Sequence, residues 1–409
     1  MVGESWLLIT LVLLIVSLIT QQIPLLLVTF LVFLSGLLIR IWSHFALARI
    51  THEHQLSAEQ AFFGDVITVE VSVSNRKMLP LPVVEIGIEA PEELKVLRGS
   101  VIPAATDPFR INLSSFLSMG WYHKVTRRYQ VECSKRGYYT FGPSYMTVRD
   151  PFGFTSQEAE NPRLDRLLVY PRILPLKELG LPSTDILGER KIRRQLFEDP
   201  LRIVSSRDYV QGDPLNRIHW MATARRGHLQ TRVLESTTTP NLVIFLDVNT
   251  METQFQAPME GPLESSITVA ASIASHAINS GHNVGLYVNE PYRGTREPIR
   301  LAPSRHPDHL QRILVALAHP QGWPLYAIER MLTTEGRSLP WGASIVIVTP
   351  TPTALLIGSI RRFKRAGRSV SLIQVGNSTG FIAPRDVPTH FVSDEVHRPH
   401  TKSLEVAAR

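Results

Sequence analysis

The sequence predicts a multidomain α and β chain: an N-terminal transmembrane helical hairpin, a β-sandwich domain and a C-terminal doubly wound α/β domain. Three observations carry this reading. Two nearly uncharged apolar stretches open the chain, short runs with a two-residue apolar period follow, and continuous apolar runs alternating with helix-like segments close it. A length of 409 residues exceeds one ordinary domain and leaves room for two cores and an anchor. Fractions of 44% hydrophobic and 19% charged residues exclude wholesale disorder. The single cysteine, Cys133, can form no intramolecular disulfide and supplies no thiolate cluster for a metal. In an apolar-alternating run it reads as a small core residue. The net charge of +7 suits anionic lipid head groups or nucleic acid and does not choose between them.

The anchor is assigned to residues 1–42. Trp6–Thr20 and Ile23–Ile41 carry no charge before Arg40, and Gln21 and Gln22 separate them. A hydrocarbon core of roughly 30 Å takes about 20 apolar residues per helix. The second stretch spans it, and the first does so only with its polar ends recruited. A signal peptide needs a basic start and a small-residue cleavage site, and the opening Met-Val-Gly-Glu-Ser has no Lys or Arg and no such site after it. Pro24 suits the turn. Arg40 and Arg49 follow the second span while the hairpin tip carries no charge, so the positive-inside rule places the soluble domains in the cytoplasm, at an inner or plasma membrane.

Residues 50–160 are expected to form an antiparallel β-sandwich. Val66–Asn75, Val83–Ala90 and Val125–Cys133 alternate with period two, and Asn, Pro and Gly between them supply turns. Lys135–Ser144 and Asp150–Phe154 concentrate Gly, Pro and aromatics; a ligand-binding turn has that composition, and so does a strand pair with aromatics packed at a sheet edge. The second reading is the simpler. Residues 161–200 read as an extended linker with Pro171, Pro175 and Pro182, ending in the basic run Gly188–Arg194, a solvated stretch that could touch lipid head groups.

Residues 201–239 hold the most specific motif. Arg207-Asp208-Tyr209, Gly212-Asp213-Pro214, Arg217-Ile218-His219-Trp220 and a closing Glu235 stand in order. Gly212-Asp213-Pro214 is turn chemistry, and Asn216–Ala224 would form a short helix with Arg217 and Trp220 or Met221 on one face. Arg207, Asp208, Arg217 and His219 could form a charged cluster in which a carboxylate fixes guanidinium groups. Such a cluster is a binding site or an internal clamp. Without a nucleophile or an oriented general base, the clamp is preferred and no catalytic residue is assigned. His219, flanked by Ile218 and Trp220 and lacking a second ligand at metal spacing, reads as a packed, hydrogen-bonded histidine.

This pattern resembles the signature of the domain of unknown function 58 family, as do the preceding Arg136-Gly-Tyr, Gly142-Pro143 and Asp150-Pro-Phe-Gly elements and the apolar N-terminus. The resemblance implies a von Willebrand factor type A-like domain over residues 240–385, before a flexible tail, 386–409. The residues agree with an α/β domain on their own account. Asn241–Asp247, Val284–Val288, Ser344–Val348 and Val370–Val375 read as buried strands, and Leu263–Asn279, His306–Leu317 and Ala354–Arg365 as helices. In metal-binding domains of that type the first strand ends in Asp-x-Ser-x-Ser, whose oxygens hold the ion. Here the stretch is Asp247-Val-Asn249-Thr-Met251, and Met251 cannot bind Mg²⁺. Asp247 is the one ligand that can be named, and no cofactor is expected.

A non-enzymatic, membrane-tethered scaffold or adaptor for envelope-related assembly follows from these readings. Its partners are the lipid bilayer and, as the resemblance implies, a MoxR-type AAA+ ATPase. The rivals are an enzyme using the Arg207–His219 cluster and a nucleic-acid binder using Arg225, Arg226, His228 and Arg232. The first lacks a nucleophile; the second lacks aromatics to stack bases, so no nucleic acid is expected.

Overall fold

The computed structural model describes residues 2–103, 107–150, 155–182, 203–213, 215–234, 240–251, 257–292, 294–340, 342–376 and 384–397. The basic run 188–194, Pro214 and Glu235 lie outside them. The chain divides into two compact units, ending and beginning at Pro171 and Arg172.

The first unit starts with helices α1 (Val2–Ile19) and α2 (Ile23–Ala46). Between them Gln21 adopts a φ of 54°, which turns the chain. Ser17 Oγ lies 3.0 Å from Thr29 Oγ1, and each hydroxyl also donates to a carbonyl of its own helix. These two hydroxyls are thereby satisfied without water. Among the described residues one helix, α2, is long and apolar enough to cross a membrane, with mean hydropathy 2.3. Its 24 residues rise about 36 Å, against about 27 Å for α1.

A β domain follows directly. One sheet orders β1 (Ile50–Leu56), β3 (Val66–Asn75), β8 (Lys124–Glu132) and β5 (Lys95–Arg98). A second orders β11 (Ser156–Asn161), β10 (Ser144–Arg149), β4 (Leu81–Pro91), β7 (Arg110–Met119) and β6 (Ser100–Pro103), and every neighbouring pair in both is antiparallel. Period-two burial is plain in β3, where Ile67, Val69, Val71 and Val73 enter the core and pack with Ile86, Ile88, Leu113 and Val148 of the second sheet. Cys133 is buried there, as its context predicted. A small third sheet joins β2 (Gln60–Phe62), β12 (Asp165–Tyr170) and β9 (Gly137–Phe141). Residues 165–170, expected within a linker, are therefore strand, and Leu167 and Val169 are buried. The prolines beyond hid this short strand in the sequence.

In the second unit, Leu176, Leu179 and Leu181 are also buried, and Leu174 N donates to Ser272 Oγ at 2.9 Å. This part of the expected linker is packed rather than extended in solvent. Strands β13 (Ile203–Asp208) and β14 (Gln230–Leu234) pair antiparallel, and between them lie a 3-10 turn at Leu215–Arg217 and helix α3 (Trp220–Arg226). The single helix expected over Asn216–Ala224 is thus broken at Ile218 and His219, because Ile218 bridges to Thr231 and His219 N donates to Gln230 O at 2.7 Å.

The remaining sheet has the order β17 (Pro298–Ser304), β16 (Asn283–Pro291), β15 (Asn241–Leu246), β18 (Ser344–Thr349), β19 (Val370–Val375), β20 (Thr389–Val392). All pairs are parallel except β16 with β17. Helix α4 (Glu260–Asn279) packs on one face and helix α5 (His309–Leu317) beside it. On the other face, α6 (Ile328–Glu335) and α7 (Ala354–Arg365) close a core with Val243, Phe245, Ile345, Ile347 and Leu372. Helices on both faces explain the nearly continuous apolar runs of β15 and β18. β20 lies inside the segment expected as a flexible tail, so that tail contributes a strand before residue 397. The chain leaves β15 toward β16 on one side and returns to β18 on the other, which makes the C-terminal ends of β15 and β18 a topological switch point, where open α/β sheets place their sites.

Candidate functional site

The signature segment, residues 203–234, is a hairpin with a helical insertion, and several of its polar side chains bond to one another and to its own backbone. Arg207 Nη2 lies 2.6 Å from Asp213 Oδ1, while Asp213 Oδ2 accepts from Val210 N at 3.2 Å and Thr231 Oγ1 at 3.1 Å. The Arg207 guanidinium and the Val210 amide hold the Asp213 carboxyl below its usual range. Gly212, at φ 111°, provides the turn that brings Asp213 back to Arg207. Asp208 Oδ1 accepts from the Gln230 side chain and lies 3.0 Å from His228 Nε2, and these bonds likewise depress its carboxyl. Arg207 therefore pairs with Asp213 and touches Asp208 only through that residue's carbonyl, at 3.2 Å. Tyr209 is half-buried, with its amide donating to Leu229 O.

His219 stands at the N-cap of α3, and its Nδ1 accepts from Ala222 N at 3.1 Å. Gly227, in the left-handed region, ends the helix. Sequence reasoning identified His219 as hydrogen-bonded but missed the cap. His228 and Gln230, the partners of Asp208, lie about twenty residues away along the chain, and no local spacing signals them. Val210, Leu215, Trp220 and Met221 are all more than half exposed, Trp220 at 63%, on a surface they share with exposed Arg207, Asp208, Arg225, Arg226 and His228. Arg217 is half-buried in the turn before α3.

At the switch point, Asp247 follows β15 and is 4% exposed. Its Oδ1 accepts from Asn249 N at 3.1 Å and from Asn289 Nδ2 at 2.8 Å, and its Oδ2 accepts from Thr349 Oγ1 at 2.9 Å. Burial pushes the Asp247 carboxyl up to about 6, opposed by those three bonds and reinforced by the charge of Glu329. Asn289, on β16, also accepts from Val248 N and donates to Tyr326 O. The site thus ties the ends of three adjacent strands. Asn249 Oδ1 takes the Met251 amide at 3.2 Å, and Thr351 Oγ1 donates to Asn249 O at 2.8 Å. No three His, Cys, Asp or Glu side chains converge among the described residues. Asn289 was not singled out from sequence; its signal was a polar residue at the end of the apolar run Val284–Val288.

The β domain holds a further cluster that sequence reasoning missed. His54 Nδ1 lies 2.9 Å from Ser144 Oγ, and His54 Nε2 lies 3.8 Å from Asp165 Oδ2, beyond hydrogen-bond reach. Serine, histidine and aspartate in that order invite a hydrolytic reading. Ser144 and His54 are buried, however, and burial lowers the His54 pKa, so the cluster links β1, β10 and β12 with no access for a substrate.

The family described as "Protein of unknown function DUF58" matches residues 205–349, which take in the signature hairpin from its third residue onward and Asp247 with its partners Asn289 and Thr349. The uncharacterized protein YeaD of Bacillus subtilis is 24% identical over 238 residues, 57% of this chain and 54% of that protein. The match spans about half the length of that curated relative. Among solved structures, the CARDB domain of a Pyrococcus furiosus protein aligns with a TM-score of 0.21 at 14% identity, over 29% of this chain and 91% of that domain. A cohesin module from a Clostridium perfringens family 33 glycoside hydrolase aligns with a TM-score of 0.20 at 9% identity, over 29% of this chain and 96% of the module. Scores this low carry no argument about fold or function.

Proposed function

We propose that the chain is a membrane-anchored, non-enzymatic scaffold that recruits a partner through the outer face of its signature hairpin. The observation that carries the reading is the contrast within residues 203–234. The groups that could do chemistry, Asp208, Asp213 and His219, are engaged by their own segment. Among the groups facing outward are Val210, Leu215, Trp220 and Met221, an apolar set beside exposed Arg225 and Arg226 that suits a protein-binding surface. Both α1 and α2 cross the membrane in this reading, and Arg40 and Arg49 keep the domains on the cytoplasmic side. The sheet order and the antiparallel third strand support a type A-like domain, and its strand-end site works without metal, since the Asp247 oxygens already take three protein donors. The partner implied by family resemblance is a MoxR-type AAA+ ATPase. Crosslinking and affinity capture from native membranes, run beside a Trp220→Ala, Met221→Ala variant, tests this. Capture of such an ATPase that falls away in the variant is expected; equal capture by both proteins sinks the assignment to this face, and no ATPase with either sinks the partner.

A further inference from the structure

The β domain is fastened to α2 at one end, and the turns at that end carry exposed aromatic and apolar side chains. Two turns meet there, residues 76–80 between β3 and β4, and residues 120–123 between β7 and β8. Asn75 is buried and locks them together, its Nδ2 donating to Leu79 O and Gly120 O, both at 2.9 Å, while Tyr122 N donates to Lys77 O. Lys77 in turn places its ammonium on the last carbonyls of α2, those of Phe45, at 2.6 Å, and Ala46. Trp42 Nε1 donates to Pro80 O at 3.2 Å, and Gln157 Nε2 to Ser43 Oγ at 3.3 Å. The turns are thus fixed relative to the helix axis.

They also reach back along it. Leu79 shares an apolar groove with Leu38, Ile41, Trp42 and Phe45 of α2. Those positions lie up to about 12 Å before the end of the helix, at 1.5 Å per residue. A hydrocarbon layer of roughly 30 Å that begins near Ile23 ends near Trp42. The turns therefore stand level with the edge of the layer, and their exposed tips are Met78 at 72%, Trp121 at 66% and Tyr122 at 65%. Turns that face water favour Gly, Asn, Asp and Ser. Here Tyr122 even holds a φ of 48°, a left-handed conformation costly for a bulky aromatic. Exposed Arg49, Arg76 and Lys124 surround the tips.

We propose that the turns 76–80 and 120–123 form a collar that inserts Met78, Trp121 and Tyr122 into the head-group region of the bilayer that α2 crosses, with Arg49, Arg76 and Lys124 meeting anionic lipid. Aromatic residues concentrate at that depth because one side of the ring is apolar and the other wet, and basic side chains are drawn to anionic leaflets. The β domain then sits on the membrane as a fixed pedestal. The proposal rests on α2 spanning the bilayer.

The test uses the full chain in vesicles of phosphatidylcholine and phosphatidylglycerol, with nitroxide labels at Met78→Cys, Trp121→Cys, Leu34→Cys and Phe109→Cys in separate variants. Cys133 stays unlabelled because it is buried and burial pushes its thiol up to about 11. Phe109 is an equally exposed apolar residue at the far end of β7, so it separates membrane depth from mere hydrophobicity. Expected is a several-fold preference for oxygen over a water-soluble nickel chelate as relaxant at 34, 78 and 121, reversed at 109. Label 34 in lipid with 78 and 121 open to nickel overturns the collar alone. Label 34 open to nickel removes α2 from the bilayer, and the collar with it. Labels 78 and 121 shielded from both relaxants mean a protein contact and also overturn the proposal.

Discussion

Replacing Asp247 with asparagine should stabilise the α/β domain at neutral pH and leave it unchanged or slightly weaker at pH 4. Its carboxyl titrates near 6 in the folded chain against 3.8 for an ordinary aspartate, so between those values the folded state holds the extra proton. Stability at this position is therefore fully present below about pH 4 and is lost as pH rises through 6, by about 3 kcal/mol at 1.36 kcal/mol for each tenfold change in proton affinity. An amide carries no charge to desolvate. Its oxygen can keep the bonds from Asn249 N and Asn289 Nδ2, and its NH₂ can donate to Thr349 Oγ1, whose own proton then loses its acceptor at a cost of about 1 kcal/mol. The net gain above pH 7 is about 2 kcal/mol. Hydrogen exchange of the full chain, read on peptides covering β15 and β18 at several pH values, measures the difference in local opening. An Asp247→Asn chain less protected than the parent at pH 7.5, or a difference that does not change with pH, would refute the desolvation argument.

His219→Ala should cost about 1 kcal/mol of local stability in α3, as loss of an N-cap does, while His219→Asn retains it; exchange rates over residues 220–226 separate the two. Because burial lowers the pKa of His54, the unfolded chain takes up a proton first as pH falls through 6.5, so the β domain weakens below that pH. Melting of His54→Gln should show a smaller loss between pH 7.5 and 5.5, and an identical loss removes His54 as the cause. Lys77→Met leaves the carbonyls of Phe45 and Ala46 without their cation and should loosen residues 76–80 by about 1–3 kcal/mol in exchange experiments.

Elements with strong internal periodicity are legible in the amino-acid sequence itself. β3 alternates along its whole length, β19 and α7 have the bounds their sequences suggest, and β15 and β18 show the unbroken apolar runs of strands covered on both faces. The missed elements lack such runs. β17 is an edge strand bearing Pro298 and Pro303, tolerated because one side of it needs no ladder donor. β20 has four residues and α6 eight, too few for periodicity to register. β13 and β14 are polar strands that identify one another only through pairing across the inserted helix. Asp247 was legible as an acid at a strand end, but its occupation by Asn289 and Thr349 depended on strands about forty and a hundred residues away.

The signature hairpin shows why a charge-rich motif is ambiguous in a sequence. Arginine, aspartate and histidine within a short span suit a reaction centre, and they suit equally a segment that closes its turns and helix ends with polar contacts. Among its described side chains, residues 203–234 bury Ile218, Gln230 and Thr231, and further order comes from Asp213 closing a turn on Arg207, His219 starting a helix and Asp208 holding the end of β14. A reaction centre must leave a lone pair or a proton pointing at solvent or substrate. Here the capping nitrogen of His219 and both oxygens of Asp213 face their own segment, and Trp220 and Met221 point away from it. Substitutions at the inward residues should therefore disturb exchange within the hairpin, and substitutions at Trp220 or Met221 should leave exchange intact while changing what the chain captures. A partner lost on changing Asp208 or Asp213 with the hairpin still protected would reverse that division of labour.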